Sequence, residues 1–392
     1  MSPPVDEDVV VATGRLVAAS SQNPGEDERA VTAVVEALCT ELGLPAPRRV
    51  GLPERPNLVV ELPFGAGVPR VALCGHLDTK PVGEGDWATD PLQASRVEGE
   101  LRGRGVVDMK GAIAAMLLAA ADLCANPPDR GTLVLLFCAD EENGATFGAR
   151  WLSEHAPPRL DAMVIGEPGG VNDDWDRLHL GSRGICNFDI DVTTTQGHSG
   201  LTDLFGLVSA TEVAARLVVA LRDDFEPPFP PDRPGQPTMN AGVVLQGGIT
   251  YGVVPGWAHV ASDCRLVAGM DRDTFAAAVR AFVESRLPAG AEATVTVRDW
   301  IPAVTADSSE TIADAARKAL ADTIGSVPPD DIFPATTDAT WFAALDVPTL
   351  PALGPGLLRH AHAPNEAVSV TALGQARALY RCLVHHYCGA GR

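Results

Sequence analysis

Histidines and carboxylates that could together bind divalent metal ions follow several apolar segments of this chain. His76 follows the apolar residues 71–74, and Glu141 and Glu142 follow the apolar residues 133–139. Carboxylates crowded behind a buried strand are costly unless a cation neutralises them. Nitrogen and oxygen donors without sulfur suit Zn²⁺, with Mn²⁺ or Co²⁺ as alternatives. The sequence therefore predicts a carboxylate-bridged pair of divalent metals, and the candidate ligands are His76, Asp108, Glu142, Glu167 and His362, with His360 as an alternative to His362.

Each candidate also has an ordinary structural interpretation. Asp108 follows a glycine-rich turn and precedes an Ala/Leu-rich helix, so it could be a helix N-cap or a bridging ligand with one oxygen on each ion. The acidic residues 140–142 could form a solvated loop. In a strand, Asp78 would share a face with His76, so it could either fix the second imidazole nitrogen of a ligand or bond to that histidine for structural reasons. Each structural interpretation is acceptable for a single residue, but it is a poor explanation for all five candidate ligands at once.

Predicted strands and helices alternate around these residues. The strands have continuous rather than alternating hydrophobicity, which favours an α/β fold with a mostly parallel sheet covered on both faces. Functional side chains then belong at the carboxyl ends of the strands. The predicted elements are strands over 57–62, 70–74, 133–138 and 162–165, and helices over 111–124 and 148–154.

A different pattern begins near residue 182. Residues 186–194 alternate as a half-exposed strand does, and a β-α-β-β-α-β order of elements follows. This order predicts an inserted ferredoxin-like α+β domain. The expected division is a catalytic domain built from residues 1–181 and 299–392, with the insert at 182–298.

Composition excludes several classes of protein. The chain has 392 residues and a formal net charge of −21, so a polyanionic nucleic acid is not expected as a partner. No apolar stretch approaches the roughly 18 residues of a membrane span, and the N-terminus lacks the pattern of a signal peptide. The eight cysteines contain no CxxC pair, which favours a reduced cytoplasmic protein over a disulfide framework.

Eight short segments occur in the order that is typical of one enzyme family. The chain resembles the di-zinc amidohydrolases and peptidases that include acetylornithine deacetylase, succinyl-diaminopimelate desuccinylase, aminoacylase and glutamate carboxypeptidase. The resemblance spans residues 75–366. The matching segments are Gly75-His76-Leu77-Asp78-Thr79, Trp87 with Asp90-Pro91-Leu92, Arg104-Gly105-Val106-Val107-Asp108-Met109-Lys110-Gly111, Ala139-Asp140-Glu141-Glu142, Gly166-Glu167-Pro168, Gly197-His198-Ser199, Asp263-Cys264-Arg265 and His362-Ala363-Pro364-Asn365-Glu366.

The resemblance implies a role for each metal ligand. Asp108 would bridge two Zn²⁺ ions. His76 and Glu167 would complete one position, and Glu142 and His362 the other. It also implies a metallopeptidase-type catalytic domain and an inserted lid that mediates dimerisation.

The resemblance further implies the residues of catalysis. Asp78 would orient His76, and Glu141 would be the general base. His198 would help to stabilise the oxyanion, often in the partner subunit's site of a homodimer. A structural alternative is that His198 merely ends the strand predicted over 186–194. The substrate-binding candidates are Arg265 and Gly354.

The predicted activity is hydrolysis of the amide bond of a small N-acyl amino acid, with a carboxypeptidase or dipeptidase as the alternative. Three departures from the family pattern, at Lys80, at Gly252 and in residues 200–209, bear on the substrate pocket rather than on hydrolysis. A serine hydrolase built on Ser199 would lack the Gly-x-Ser-x-Gly elbow. A non-catalytic binding protein is disfavoured because Glu141 and every candidate ligand are present.

Overall fold

The computed structural model describes residues 6–305 and 311–389, and the chain forms two compact units. The larger unit contains the described residues up to Ser182, then Thr305–Phe333 and those from Thr337 onward. The smaller unit contains Arg183–Val304 and Pro334–Thr336.

The regular elements are numbered in chain order. The helices are α1 Glu7–Ala18, α2 Arg29–Glu41, α3 Gly111–Ala125, α4 Ala149–His155, α5 Thr202–Phe205, α6 Ala210–Asp223, α7 Arg272–Glu284, α8 Thr311–Ile324, α9 Ala339–Ala343 and α10 Val370–Gly389. The strands are β1 Arg48–Gly51, β2 Pro56–Phe64, β3 Arg70–His76, β4 Ser95–Val97, β5 Glu100–Arg102, β6 Gly131–Cys138, β7 Ala162–Ile165, β8 Pro168–Gly170, β9 Leu178–Ser182, β10 Gly184–Thr193, β11 Gly197–His198, β12 Thr238–Gly247, β13 Val253–Val254, β14 Trp257–Leu266, β15 Glu292–Ile301, β16 Val304–Thr305, β17 Asp330–Phe333, β18 Thr349–Leu350, β19 Gly354–Leu357 and β20 Ala367–Ser369.

The larger unit is built on a sheet of six strands in the order β1-β2-β6-β3-β7-β18. Strands β6, β3, β7 and β18 pair in parallel, whereas β2 is antiparallel to both β1 and β6. The residues of β6 and β7 are buried along their whole length, as strands of a sheet covered on both faces should be. The prediction of an α/β fold with a mostly parallel sheet is confirmed.

Helix α3 is buried over nearly all of its surface, because its small alanines let neighbouring elements approach closely. It begins at Gly111, directly after the turn that carries Asp108. A Cβ atom at Gly111 would lie 2.4 Å from the carbonyl oxygen of Val106, so only glycine fits there. This tight start of α3 brings the Asp108 turn back against the sheet.

The carboxyl ends of the central parallel strands lie at one edge of the sheet. Strand β3 ends at His76, β6 ends at Cys138 just before the acidic residues 140–142, and β7 ends at Ile165 just before Glu167. Neighbouring parallel strands place their carboxyl ends together. The sheet therefore gathers the candidate ligands that the sequence separates.

The smaller unit contains a four-stranded antiparallel sheet in the order β12-β14-β10-β15. Its β-α-β-β-α-β order and strand arrangement are those of a ferredoxin-like fold. Buried residues of α6 and α7 form one core with alternate residues of β10 and β14. Strands β10 and β15 are neighbours, with Ile185 opposite Ile301, so the chain enters and leaves this sheet at adjacent points. Strand β12 lies at an edge and exposes Val243 and Leu245.

Within residues 6–305 and 311–389, no single helix is long and apolar enough to cross a membrane. Two consecutive helical segments, Ser199–Phe205 and Ala210–Asp223, meet the length and composition requirement only when they are taken together, and they are bent by 76° relative to each other.

Candidate metal centre

The first group of candidate ligands surrounds His76 at the end of β3. Its Nε2 lies 2.9 Å from Oδ1 of Asp108 and 3.5 Å from Oε1 of Glu167. Its Nδ1 lies 3.0 Å from the main-chain oxygen of Asp78 and 3.5 Å from that residue's Oδ1. Asp78 therefore faces the second imidazole nitrogen, as expected, although its carbonyl is nearer than its carboxylate.

The second group surrounds His362. Its Nε2 lies 3.0 Å from Oδ2 of Asp108 and 3.2 Å from Oε2 of Glu142. Asp108 thus contacts one imidazole with each of its oxygens. The interpretation of Asp108 as a helix N-cap is wrong, because Lys110 occupies the N-cap position of α3.

A buried ion pair joins the loops that carry Asp108 and His362. Arg104 donates to Glu366 at 2.7 Å and to the main-chain oxygen of His362 at 3.3 Å. Oε1 of Glu366 also accepts three main-chain N–H groups at 2.9–3.2 Å, and their residues are Gly105, Val107 and Asp108. Glu366 therefore ties the main chain that leads into Asp108 to the loop that carries His362.

Asp78 also holds the acidic turn after β6. Its carboxylate accepts the main-chain N–H groups of Glu141 at 3.2 Å and Glu142 at 3.1 Å. It accepts a third hydrogen bond from Asn23 at 2.9 Å, and the same amide group donates to Asp140 at 2.8 Å. Asp78 thus contacts the histidine mainly through its main-chain oxygen and holds the adjacent glutamates through its carboxylate. The acidic residues 140–142 are not a freely solvated loop.

The electrostatics of the cluster suit divalent cations. Burial is the main cause that raises the pKa of Glu167 well above its usual value, and the negative charge of the nearby Asp108 adds to it. Contacts with Asp108 and Glu142 raise the pKa of His362 to about 10. Buried carboxylates outnumber the imidazoles, so bound divalent cations would offset an excess of negative charge.

The donor atoms also lie close enough to share ions. Ligand atoms of His76, Asp108 and Glu142 all lie within 4.8 Å of one another, and the same holds for His76, Glu141 and Glu167. The two neighbouring glutamates therefore both border the cluster. Glu142 is buried, whereas Glu141 is half-buried. The residues present fit a pair of divalent ions that share Asp108.

The sequence assigned Lys80 to the substrate pocket and gave no role to Asp338, but both border this centre. The ammonium Nζ of Lys80 lies 3.3 Å from Oε2 of Glu142. Asp338 is buried just before α9, and burial raises its pKa to about 7 although the nearby His76 opposes this. The departure of Lys80 from the family pattern was a usable signal. Asp338 follows no long apolar run, so nothing local marked it.

Two of the remaining candidates, His198 and Arg265, belong to the smaller unit. His198 is exposed in the smaller unit, where β11 pairs with β13, and its Nδ1 accepts the main-chain N–H of Gly200 at 3.0 Å. It does not end the strand that the sequence predicted over 186–194, because β10 stops at Thr193. Arg265 is half-buried on β14, with Nε 3.9 Å from Oδ1 of Asp263.

Gly354, the second substrate-binding candidate, is buried in the larger unit. Its N–H donates to the main-chain oxygen of Glu167 at 2.8 Å. A Cβ atom at this position would lie 2.0 Å from the carbonyl oxygen of Gly166. The structure thus gives Gly354 a supporting contact with the Glu167 segment, and its contact with a substrate stays a prediction.

Comparisons with known proteins agree on one family. The family described as "Peptidase family M20/M25/M40" matches residues 72–386. A succinyl-diaminopimelate desuccinylase of Xanthomonas campestris pv. campestris is 31% identical over 330 residues, which cover 82% of this chain and 84% of that protein.

Two solved structures show the same fold at low identity. An aminopeptidase from Bacillus cereus aligns with a TM-score of 0.79 and 19% identity over 98% of this chain and 99% of that one. A Bacillus subtilis protein described as a dinuclear metal binding peptidase of the M20 family aligns with a TM-score of 0.70 and 16% identity over 96% of each chain.

Proposed function

The chain belongs to peptidase family M20/M25/M40 and is a hydrolase of amide bonds, and we propose that it cleaves a small N-acyl amino acid with two bound Zn²⁺ ions. The observation that carries this proposal is the pair of imidazole groups that share Asp108, one on each carboxylate oxygen. Removal of a small acyl group, as in desuccinylation or deacetylation, is the favoured reaction, because the Xanthomonas campestris relative is a desuccinylase.

The metal ligands are assigned from the two groups. His76 and Glu167 would hold one ion, Glu142 and His362 the other, and Asp108 both. When bound, the ions would acidify a water molecule and polarise the scissile carbonyl. Mn²⁺ or Co²⁺ could occupy the same donors. Asp78 and Glu366 would keep the ligand-bearing turns in place.

We assign the general base to Glu141 rather than to Glu142. Both carboxylate oxygens of Glu142 are engaged, Oε1 by the main-chain N–H of Lys80 and Oε2 by His362. Glu141 is half-buried, and burial raises the pKa of its carboxyl well above the usual value. A raised pKa suits a carboxylate that takes a proton from water and later delivers it to the leaving amine.

His198 and Arg265 would act on the substrate from the smaller unit. Because Nδ1 of His198 accepts a hydrogen bond, a neutral imidazole carries its proton on Nε2, which can donate to the oxyanion. Arg265 would bind the substrate carboxylate. We propose that the protein is a homodimer in which His198 serves the partner subunit's site. The exposed apolar residues of the edge strand β12 support such pairing.

We also propose a cytoplasmic location. All eight cysteines are free thiols, and six of them are buried, whereas Cys124 is exposed and Cys382 is partly buried. Free buried thiols are usual in a reducing compartment.

A chelator experiment tests the proposed activity. Purified protein is assayed with N-succinyl and N-acetyl amino acids beside dipeptides, before and after metal removal and after return of Zn²⁺. We expect hydrolysis of the acyl amino acids, loss with the chelator and recovery with Zn²⁺. Faster cleavage of dipeptides would favour the peptidase alternative, and activity that resists complete metal removal would contradict the metal-dependent mechanism.

A further inference from the structure

Lys80 holds Glu142 through both its main chain and its side chain. Its main-chain N–H donates to Oε1 of Glu142 at 3.2 Å, and its Nζ lies 3.3 Å from Oε2. Nζ also donates to the main-chain oxygen of Glu142. Both oxygens of this candidate ligand are therefore in contact with one lysine.

The same carboxylate oxygen serves the second metal position. Oε2 of Glu142 lies 3.2 Å from Nε2 of His362, so the Lys80 ammonium and the imidazole converge on it. An ion bound between Glu142 and His362 would have to share that oxygen with a positive charge. The Glu142 side chain is only 4% exposed, whereas those of Lys80 and His362 are 36% and 50% exposed, so water screens the repulsion in part but does not remove it at this separation.

The other position differs in this respect. Glu167 lies 3.5 Å from His76, and among the described residues no lysine or arginine nitrogen lies within 4.0 Å of its carboxylate. Glu167 is as buried as Glu142. The two halves of the cluster thus offer similar donors, but only one contains an ammonium group.

We propose that Lys80 lowers the metal affinity of the position formed by Glu142 and His362, so that the two positions fill in sequence. The position formed by His76 and Glu167 fills first. This inference rests on the proposed two-metal function. It adds that the two positions differ in metal affinity, which the identity of the ligands alone does not imply. Lys80 is a positioning residue here, because it acts on the ion through Glu142.

Metal titration of the whole protein tests the inference without an activity assay. Metal-free wild-type protein and Lys80→Met are titrated with Zn²⁺ in a calorimeter in the presence of a competing chelator. We expect two steps in the wild type. In Lys80→Met the weaker step should tighten about 10–100-fold, because like charges about 4 Å apart near a protein surface repel by energies of this order. The tighter step should stay unchanged.

Two further variants separate charge from packing. Lys80→Arg keeps the positive charge and should keep the weak second step. Lys318→Met removes an exposed lysine on α8 and should leave both steps unchanged. Thermal unfolding of the metal-free proteins shows whether Lys80→Met folds as the wild type does.

The outcomes are distinct. Two equal steps in the wild type, or a weaker step that is unchanged or loosened in Lys80→Met, overturn the role of Lys80 while leaving the two-metal site intact. Tightening in Lys80→Arg equal to that in Lys80→Met would also overturn it, because charge would then be irrelevant. A wild-type protein that binds no Zn²⁺ would instead refute the proposed function.

Discussion

Replacing Glu366 with glutamine tests whether the buried pair with Arg104 holds the two ligand-bearing loops. The exposed fractions of the Glu366 and Arg104 side chains are only 1% and 3%. Glutamine has the same shape but a single acceptor oxygen. If that oxygen keeps the three main-chain N–H groups, the amide NH₂ faces the guanidinium, and two donors then oppose each other.

The expected cost follows from this geometry. Removing one partner of a buried pair leaves the other charge uncompensated, which costs about 3–5 kcal/mol. The Arg15–Glu41 pair is a suitable control, because it is likewise an arginine–glutamate pair with short contacts, at 2.6 and 2.8 Å, but its side chains are 37% and 55% exposed. Glu41→Gln should therefore cost no more than about 1 kcal/mol.

The assay is urea unfolding of metal-free Glu366→Gln, Glu41→Gln and wild-type protein at pH 8. Burial raises the pKa of Glu366 to about 7, so this pH keeps the carboxylate ionised in the wild type. We expect a loss of about 3–5 kcal/mol in the free energy of unfolding for Glu366→Gln alone. A loss as small as that of the control would refute the reasoning that this pair is a main support of the centre.

Two further predictions concern catalysis. Glu141→Gln should keep both metals yet lower kcat by about 10²–10⁴-fold, whereas Glu142→Gln should weaken one metal, and metal analysis beside kinetics distinguishes them. The reverse pattern would show that the adjacent glutamates are assigned the wrong way round. Co-expression of His198→Ala with Glu141→Gln chains should restore activity, because a mixed dimer with a shared site has one site free of both changes. Purified mixed dimers that remain inactive would exclude action across the interface.

Much of the centre was predictable because its residues follow strand ends. His76, Glu142 and Glu167 each come shortly after a continuous apolar run, and parallel strands must place such positions together. The mostly parallel sheet was predictable from the same runs. The direction of β2 was not, because an apolar segment carries no information about which neighbour it pairs with.

The supporting contacts were beyond sequence reasoning. Glu366 binds the turn around Asp108 from more than 250 positions away, and nothing in its own surroundings marks a buried carboxylate. The contact of Lys80 with Glu142 depends on how two loops pack at adjacent strand ends. Such pairings arise from the tertiary fold, whereas periodicity and spacing describe only local structure.

The adjacency of β10 and β15 has a consequence for evolution. Since Ile185 lies opposite Ile301, the two ends of the segment Arg183–Val304 leave their sheet side by side. A segment whose ends meet can be inserted into a host chain, or exchanged for another, at little cost to the host's own folding. Recombination near codons 183 and 304 could therefore supply new smaller units, and with them replacements for the proposed substrate contacts of His198 and Arg265, while the carboxylates and imidazoles of the larger unit are inherited unchanged.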